Sequence, residues 1–251
     1  MRCTSCGSFL PDGTSRCPYC GSTVSAFKAQ VKTETFELEK ENNGADVFES
    51  TINGVLEIFC KGNNNASWSG SGFIVSPSGY AVTNAHVAAS EDGEPVKYGN
   101  MFVKVCNCRV KAKVIAVADR KAGVDLAVIK LDEMPVGSKA LKIEDYNAVR
   151  NGEQIYIIGN SLGRGTCITS GIVSDKNRDG TLMYDCPTNP GNSGGPVINS
   201  DGKVIGVHFS GQRVPMEDTH GDIIQVKAQG MNYAVPSNVL MAFLKKTIDY
   251  K

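Results

Sequence analysis

The sequence predicts an all-β fold, a sandwich or barrel closed by one C-terminal helix, behind a small metal-bound head. Three observations predict it. From Val47 onward, short runs such as GVLEIFC, GFIV, YAVT, MFVKVC, VKAKVIAVA, DLAVIKL, QIYIIG, GIVS and KVIGVHF alternate with Gly, Asn, Asp and Pro turns, with no helical pattern between them. Only the end, PSNVLMAFLKKTI, has a helical period: Val239, Leu240, Phe243 and Leu244 fall on one face, and Ser237 is placed to cap the start. Four cysteines in two Cys-x-x-Cys units crowd the N-terminus.

These observations divide the 251 residues into a head (1–22), a polar linker (23–46) and a Val/Ile/Gly-rich domain (47–251). At 41% hydrophobic the chain can bury a large core. Lys plus Arg and Asp plus Glu number 26 each, so zero net charge gives no broad pull toward nucleic acid or an anionic membrane. The opening MRCTSCGSFLPDGTSRCPYC lacks the apolar core of a signal peptide, and no later run approaches the roughly 18 apolar residues of a membrane span. The expectation is a cytoplasmic protein. Nine cysteines, an odd number with four in paired units, favour metal over disulfides.

In the head, Cys3, Cys6, Cys17 and Cys20 form C-x2-C-x10-C-x2-C, each pair followed by a glycine, Gly7 or Gly21, that lets backbone amides turn toward the thiolates. Four sulfurs from two such turns meet the tetrahedral demand of a structural Zn²⁺, with a redox dithiol pair as the alternative. So small a unit cannot bury enough apolar surface, so the metal should supply its folding free energy. The spacing resembles the short zinc-ribbon modules at the ends of bacterial proteins. Arg2, Arg16 and Asp12 make no basic cluster, so the ribbon is expected to dock or tether a protein partner rather than bind nucleic acid. The remaining cysteines, Cys60, Cys106, Cys108, Cys167 and Cys186, read as small residues in or beside strands, although Cys106-x-Cys108 could also hold a metal.

The stretch TNPGNSGGPVIN places Ser193 between an Asn and two glycines. A serine hydroxyl is a poor nucleophile alone; it needs an imidazole to take its proton, a carboxylate to orient that imidazole, and donors for the oxyanion. Of three histidines, His86 in YAVTNAHVAAS follows an apolar strand that can present it. Asp125 opens DLAVIKL, where an ionised carboxylate at the start of a buried strand is costly unless paired, and His86 supplies the partner. Glycine at 191 lets the amides of Gly191 and Ser193 point into one oxyanion pocket. The order His86, Asp125, Ser193 matches the chymotrypsin arrangement among the convergent triads. A polar turn at GNSGG and a core histidine at 86 is the alternative.

With TNAHV, DLAVIK, IIGNSLGRG, TSGIVS, NPGNSGGPVIN and MNYAVPSN, residues 47 to 248 resemble the HtrA (Deg) branch of trypsin-like serine proteases. The resemblance implies a chymotrypsin-like double β-barrel with its site between the barrels. It also implies peptide-bond hydrolysis of polypeptide substrates through an acyl-enzyme, with no cofactor for catalysis. His86 is then general base and acid, Asp125 the orienter and Ser193 the nucleophile. No PDZ domain follows the final helix, so PDZ-triggered activation is not expected, and short loops at KGNNNASWS and SDKNRDGT make a trimer doubtful.

In such proteases the primary specificity pocket is walled by residues shortly before the nucleophile and a strand after it. Pro187 stands where a basic-residue protease has Asp, whereas Thr188 and His208 resemble the glutamyl endopeptidases at both positions. A hydroxyl and an imidazole can bind a Glu carboxylate, which suggests cleavage after Glu; His208 as a core residue of a small aliphatic pocket is the alternative. Phe209, Ser210 and Gly211 would offer the edge on which substrate backbone adds as a strand. The segment Gln212–Asp222, with Met216, Glu217, Asp218 and His220, reads as a solvated surface loop that could gate the pocket. GNSLGRG lacks the Gly-Lys-Ser/Thr of a phosphate loop and reads as a barrel turn. Glu34, Glu37, Glu39 and Glu41 in the linker are candidate sites of self-cleavage. The reading from a different class keeps the fold without turnover: a latent or non-catalytic module that binds proteins.

Overall fold

The computed structural model describes residues 1–24, 43–62, 66–90, 92–217 and 222–250. The chain divides into two compact units, Met1–Lys40 and Glu41–Lys251. The expected linker, with its four glutamates, lies largely outside the described residues.

The larger unit is two closed six-stranded antiparallel barrels. The first comprises β1 (Val55–Lys61), β2 (Ser67–Ile74), β3 (Tyr80–Thr83), β4 (Met101–Val105), β5 (Cys108–Val117) and β6 (Ala127–Leu131), in the order β1-β2-β3-β6-β5-β4. The second comprises β7 (Gln154–Asn160), β8 (Thr166–Arg178), β9 (Thr181–Tyr184), β10 (Pro196–Asn199), β11 (Val204–Glu217) and β12 (Ile223–Pro236), in the order β10-β11-β12-β9-β8-β7. This is the chymotrypsin-like double barrel with a C-terminal helix.

Strand alternation explains the two interiors. In β1, Leu56, Ile58 and Cys60 point into the first barrel with Ile74, Met101, Val103 and Ile129, while Val55 on the opposite face joins a different cluster. Ile155, Ile157, Leu182, Tyr184 and Ile205 fill the second barrel. A third core lies between the two: Phe73, Val82, Leu126 and Val128 from the first meet Ile158, Ile198 and Val207 from the second. That seam fixes the barrels against each other, and each candidate catalytic residue lies beside a strand that contributes to it: His86 after β3, Asp125 before β6 and Ser193 before β10.

Among the described residues three α-helices accompany the barrels, one of them a single turn within the site. The sequence reading placed Gly44–Asp46 in the linker, but they open α1 (Gly44–Thr51). The Asn43 side chain accepts from the Ala45 and Asp46 amides, Asp46 reaches back to the Asn43 amide, and Val47 is buried in the seam. The helix is short, and Gly44, Ala45 and Asp46 ahead of Val47 carry no apolar period that would mark its start. At the other end, α3 (Ser237–Thr247) buries Leu240 and Leu244 in the same seam, each contributing on the order of 2 kcal/mol, with Val239 and Phe243 beside them. Ser237 does not cap it: Pro236 holds the cap position, and the Ser237 hydroxyl instead donates to the Glu144 carbonyl at 2.9 Å. The segment expected as a surface loop is also different, because β11 runs on to Glu217 and pairs with Ile223–Lys227 as a hairpin. Asp218 and His220 lie outside the described residues.

Candidate active site

His86 sits on α2 (Ala85–Ala88), which begins where β3 ends. Two bonds fix Asp125 against it: the His86 amide donates to Oδ1 at 3.0 Å, and ring Nδ1 lies 2.6 Å from Oδ2. Asn84 donates from Nδ2 to the Asp125 carbonyl at 2.7 Å, so side chain and backbone of Asp125 are both held. Burial pushes the Asp125 carboxyl up, but the hydrogen bond and charge of His86, with Arg120 behind them, hold it below the usual carboxylate range. An ionised Asp125 on Nδ1 orients the imidazole and leaves Nε2 to accept a proton.

Ser193 comes from the other barrel. The loop before β10 lies against β2, where the Ser71 amide donates to the Ser193 carbonyl at 2.7 Å. Gly194 has φ +85, and a Cβ there would stand 2.2 Å from the Ser71 carbonyl oxygen and 3.0 Å from the Asn84 amide. Only glycine permits that approach, which brings the residue after Ser193 against the residue that precedes α2. Ser193 is half-buried. His86 and Asp125 are thus joined by hydrogen bonds, and the Ser193 hydroxyl makes none to His86.

The loop also orients two amides. The Leu162 amide donates to the Pro190 carbonyl at 2.7 Å, and the Gly195 amide to the Asn192 carbonyl at 2.9 Å. Since each peptide is planar and trans, the N–H groups of Gly191 and Ser193 point away from those carbonyls. Neither amide has a protein acceptor among the described residues.

Ser71, which the sequence reading missed, ties this arrangement together. Its buried hydroxyl accepts from the Asn160 amide at 2.8 Å and donates to the Gly191 carbonyl at 2.7 Å. One side chain of the first barrel thus holds both the end of β7 and the nucleophile loop of the second. The signal in the sequence is the triplet Gly70-Ser71-Gly72: a Cβ on Gly72 would stand 2.6 Å from the Val82 carbonyl oxygen.

Thr188 and His208, expected to wall the specificity pocket, are buried and already engaged. The Thr188 hydroxyl donates to Asn232 Oδ1 at 2.6 Å, and Asn232 Nδ2 donates to the Cys186 carbonyl at 2.8 Å. The Tyr184 hydroxyl lies 2.6 Å from His208 Nδ1, and backbone of Tyr233 also hydrogen-bonds to that ring. Burial, with the charge of Lys227, pushes the His208 imidazole down to about 3, so it is neutral. Thr188 and His208, expected as free donors, are thus both bonded to the protein, as buried polar groups require. Backbone bonds between Gly194 N and His208 O (2.8 Å) and His208 N and Gly195 O (3.0 Å) join this strand to the nucleophile loop. Phe209 bulges out of register with β12, and Ser210 and Gly211 follow as an accessible edge.

Ser161–Gly163 form a tight turn between β7 and β8, as the barrel-turn reading of GNSLGRG requires. Cys106 and Asn107, at φ 49 and 60, make the β4–β5 turn, and among the described residues no third metal ligand joins Cys106 and Cys108.

In the smaller unit, the sulfurs of Cys3, Cys6, Cys17 and Cys20 all lie within 4.8 Å of one another. Cys3–Cys20 and Cys6–Cys17 are each 3.7 Å apart, close to the separation of about 3.8 Å that a tetrahedron of sulfurs at about 2.3 Å from zinc demands. The two halves repeat: Gly7 N bonds to Cys3 O and Gly21 N to Cys17 O, each at 2.9 Å, with both glycines at positive φ. The donor set fits a metal.

Residues 70–207, a span that holds His86, Asp125 and Ser193, match the family of the trypsin-like peptidase domain. A probable periplasmic serine endoprotease, DegP-like, of Hahella chejuensis is 36% identical over 198 residues, 75% of this chain and 37% of that protein. A serine protease, HtrA-like, of Staphylococcus aureus is 31% identical over 207 residues, 72% of this chain and 24% of that protein. The chain therefore spans well under half the length of these curated relatives. The solved structure of the HtrA-type protease AlgW with tripeptide superposes with a TM-score of 0.66 at 24% identity, covering 80% of this chain and 62% of that one, a likeness of fold. The family match, which runs from β2 into β11, and the relatives agree: this chain belongs to the trypsin-like peptidase domain family, with HtrA- and DegP-type serine proteases among its relatives.

Proposed function

We propose that the protein is a serine endopeptidase that hydrolyses peptide bonds of polypeptide substrates through an acyl-enzyme on Ser193. One observation carries the reading: Asp125 holds the ring of His86 beside a nucleophile loop whose Gly191 and Ser193 amides have no acceptor of their own among the described residues. His86 Nε2 takes the Ser193 proton as Oγ attacks the scissile carbonyl. The two amides receive the oxyanion, and His86 returns the proton to the leaving amine. Water then repeats the sequence on the ester and releases the acid. Substrate backbone adds along Phe209–Gly211, where β11 leaves its register with β12. The acyl-side residue is Glu, a preference supported by the polar lining of the pocket around Thr188.

A latent or purely binding role is the second reading, favoured by the missing Ser193–His86 hydrogen bond. A fluorophosphonate probe separates them: rapid labelling of wild type and none of Ser193→Ala supports the endopeptidase, whereas no labelling of either supports the latent module.

The cysteine cluster is proposed to bind one structural Zn²⁺ through Cys3, Cys6, Cys17 and Cys20, which supplies folding free energy to a unit whose apolar core, among the described residues, is Cys3, Leu10, Cys17 and Val24. Phe9 and Tyr19, 71% and 73% exposed, suit the ribbon to docking a protein partner. Four reduced thiols are consistent with a cytoplasmic site of action, which subcellular fractionation tests.

A further inference from the structure

A cation lies against Thr188. β11 and β12 leave the barrel together as a hairpin, and their register jumps where they leave: Gly211 faces Asn232, but Arg213 faces Lys227. Residues 228–231 therefore bulge opposite Gln212, with Gly230 turning at φ 68. The bulge returns Lys227 to Thr188. Its Cε lies 2.5 Å from where a Cβ on Gly211 would stand, so the missing side chain at 211 is what admits it. Its ammonium donates to the Thr188 carbonyl and, at 2.8 Å, to Thr188 Oγ1.

Proton accounting selects Lys227 among the pocket residues. Thr188 spends its single hydroxyl proton on Asn232, and the His208 ring is engaged by Tyr184 and Tyr233. Lys227 carries three N–H donors and uses two of them, both on Thr188. Among the described residues no carboxylate pairs with it, and Arg213 adds like charge beside it. Lys227 is exposed, so a ligand can reach it, yet burial around the ammonium and the charge of Arg213 together lower its pKa. An anionic ligand relieves both costs at once.

We propose that Lys227 is the specificity-determining residue of the pocket, its ammonium receiving the side-chain carboxylate of a Glu on the acyl side of the cleaved bond. The inference rests on the endopeptidase reading and replaces the hydroxyl–imidazole pair with a hydrogen-bonded cation that Thr188 positions. The hairpin beyond the barrel then has a function: it delivers this residue.

The test uses the full chain and matched peptides that differ only in Glu, Gln or Lys at the acyl-side position. The expected wild-type kcat/KM favours Glu over Gln on the order of 10- to 100-fold, the range of one charge-assisted hydrogen bond. Lys227→Met brings that ratio to about one, Lys227→Arg restores part of it, and Lys227→Glu turns the preference toward Lys. A wild-type ratio near one overturns the inference. So does a Lys227→Met enzyme that keeps the wild-type ratio, or one that gains rate equally on all three peptides, which would make Lys227 a plug. If wild type cuts nothing, the endopeptidase reading falls by itself, and calorimetric binding of the same peptides to Ser193→Ala decides the pocket. Tighter binding of the Glu peptide that Lys227→Met abolishes keeps the inference, and equal binding of Glu and Gln peptides ends it.

Discussion

His86 grips Asp125 from two directions: its backbone amide lies 3.0 Å from Oδ1, and its ring Nδ1 lies 2.6 Å from Oδ2. The two oxygens of one carboxylate are thus assigned separately, one fixing the position of α2 and the other the tautomer of the ring.

That division makes Asp125→Asn informative. The amide keeps the shape of the carboxylate but offers a donor as well as an acceptor and removes the charge that stabilises an imidazolium. The expected outcome is a kcat lower by about 10⁴ with KM little changed. Steady-state kinetics on a peptide substrate measures it.

Ser71 couples the barrels through one hydroxyl. In Ser71→Ala the Asn160 amide and the Gly191 carbonyl lose their partner inside the seam, where water cannot replace it. A stability loss of about 1–3 kcal/mol is expected, with a lower kcat because the Gly191 peptide is released. Urea unfolding and peptide kinetics on the same variant check both parts.

The double barrel was legible in the sequence because period-2 runs such as Leu56, Ile58 and Cys60 carry the interior directly. The pairing of His86 with Asp125 was legible because each sits beside a recognisable strand end. Ser71 was not, because the Gly70-Ser71-Gly72 triplet marks close backbone approach but does not name the long-range partners of the hydroxyl. Lys227 was hidden for a related reason. It lies 34 residues beyond the nucleophile in a hairpin whose sequence resembles a surface loop, and only the bulge at 228–231 returns it to Thr188. Thr188 and His208 were singled out by position as candidate pocket residues, but their bonding to Asn232, Tyr184 and Tyr233 depends on side-chain geometry that spacing does not encode.

His208 makes stability pH-dependent. Its folded value of about 3 lies below the ordinary value of 6.5, so between these limits the unfolded chain binds the extra proton. The stability it contributes is complete above pH 6.5 and is lost as pH falls toward 3, at up to about 1.4 kcal/mol per pH unit. Urea midpoints from pH 7 to pH 4 should fall in wild type and fall less steeply in His208→Gln.

The cysteine unit should bind one zinc per chain. Chelation, or Cys17→Ser, is expected to remove the metal and open the N-terminal unit to proteolysis while the barrels keep their melting temperature, because the two units have separate cores. Metal analysis with limited proteolysis and mass spectrometry tests it.

The most direct measurement of the central claim is digestion of a diverse peptide library by the zinc-loaded full chain, with Ser193→Ala alongside and products identified by mass spectrometry. The account predicts cuts after Glu that vanish in the variant. Cuts that persist in Ser193→Ala, or no cuts by the wild-type protein, would contradict it.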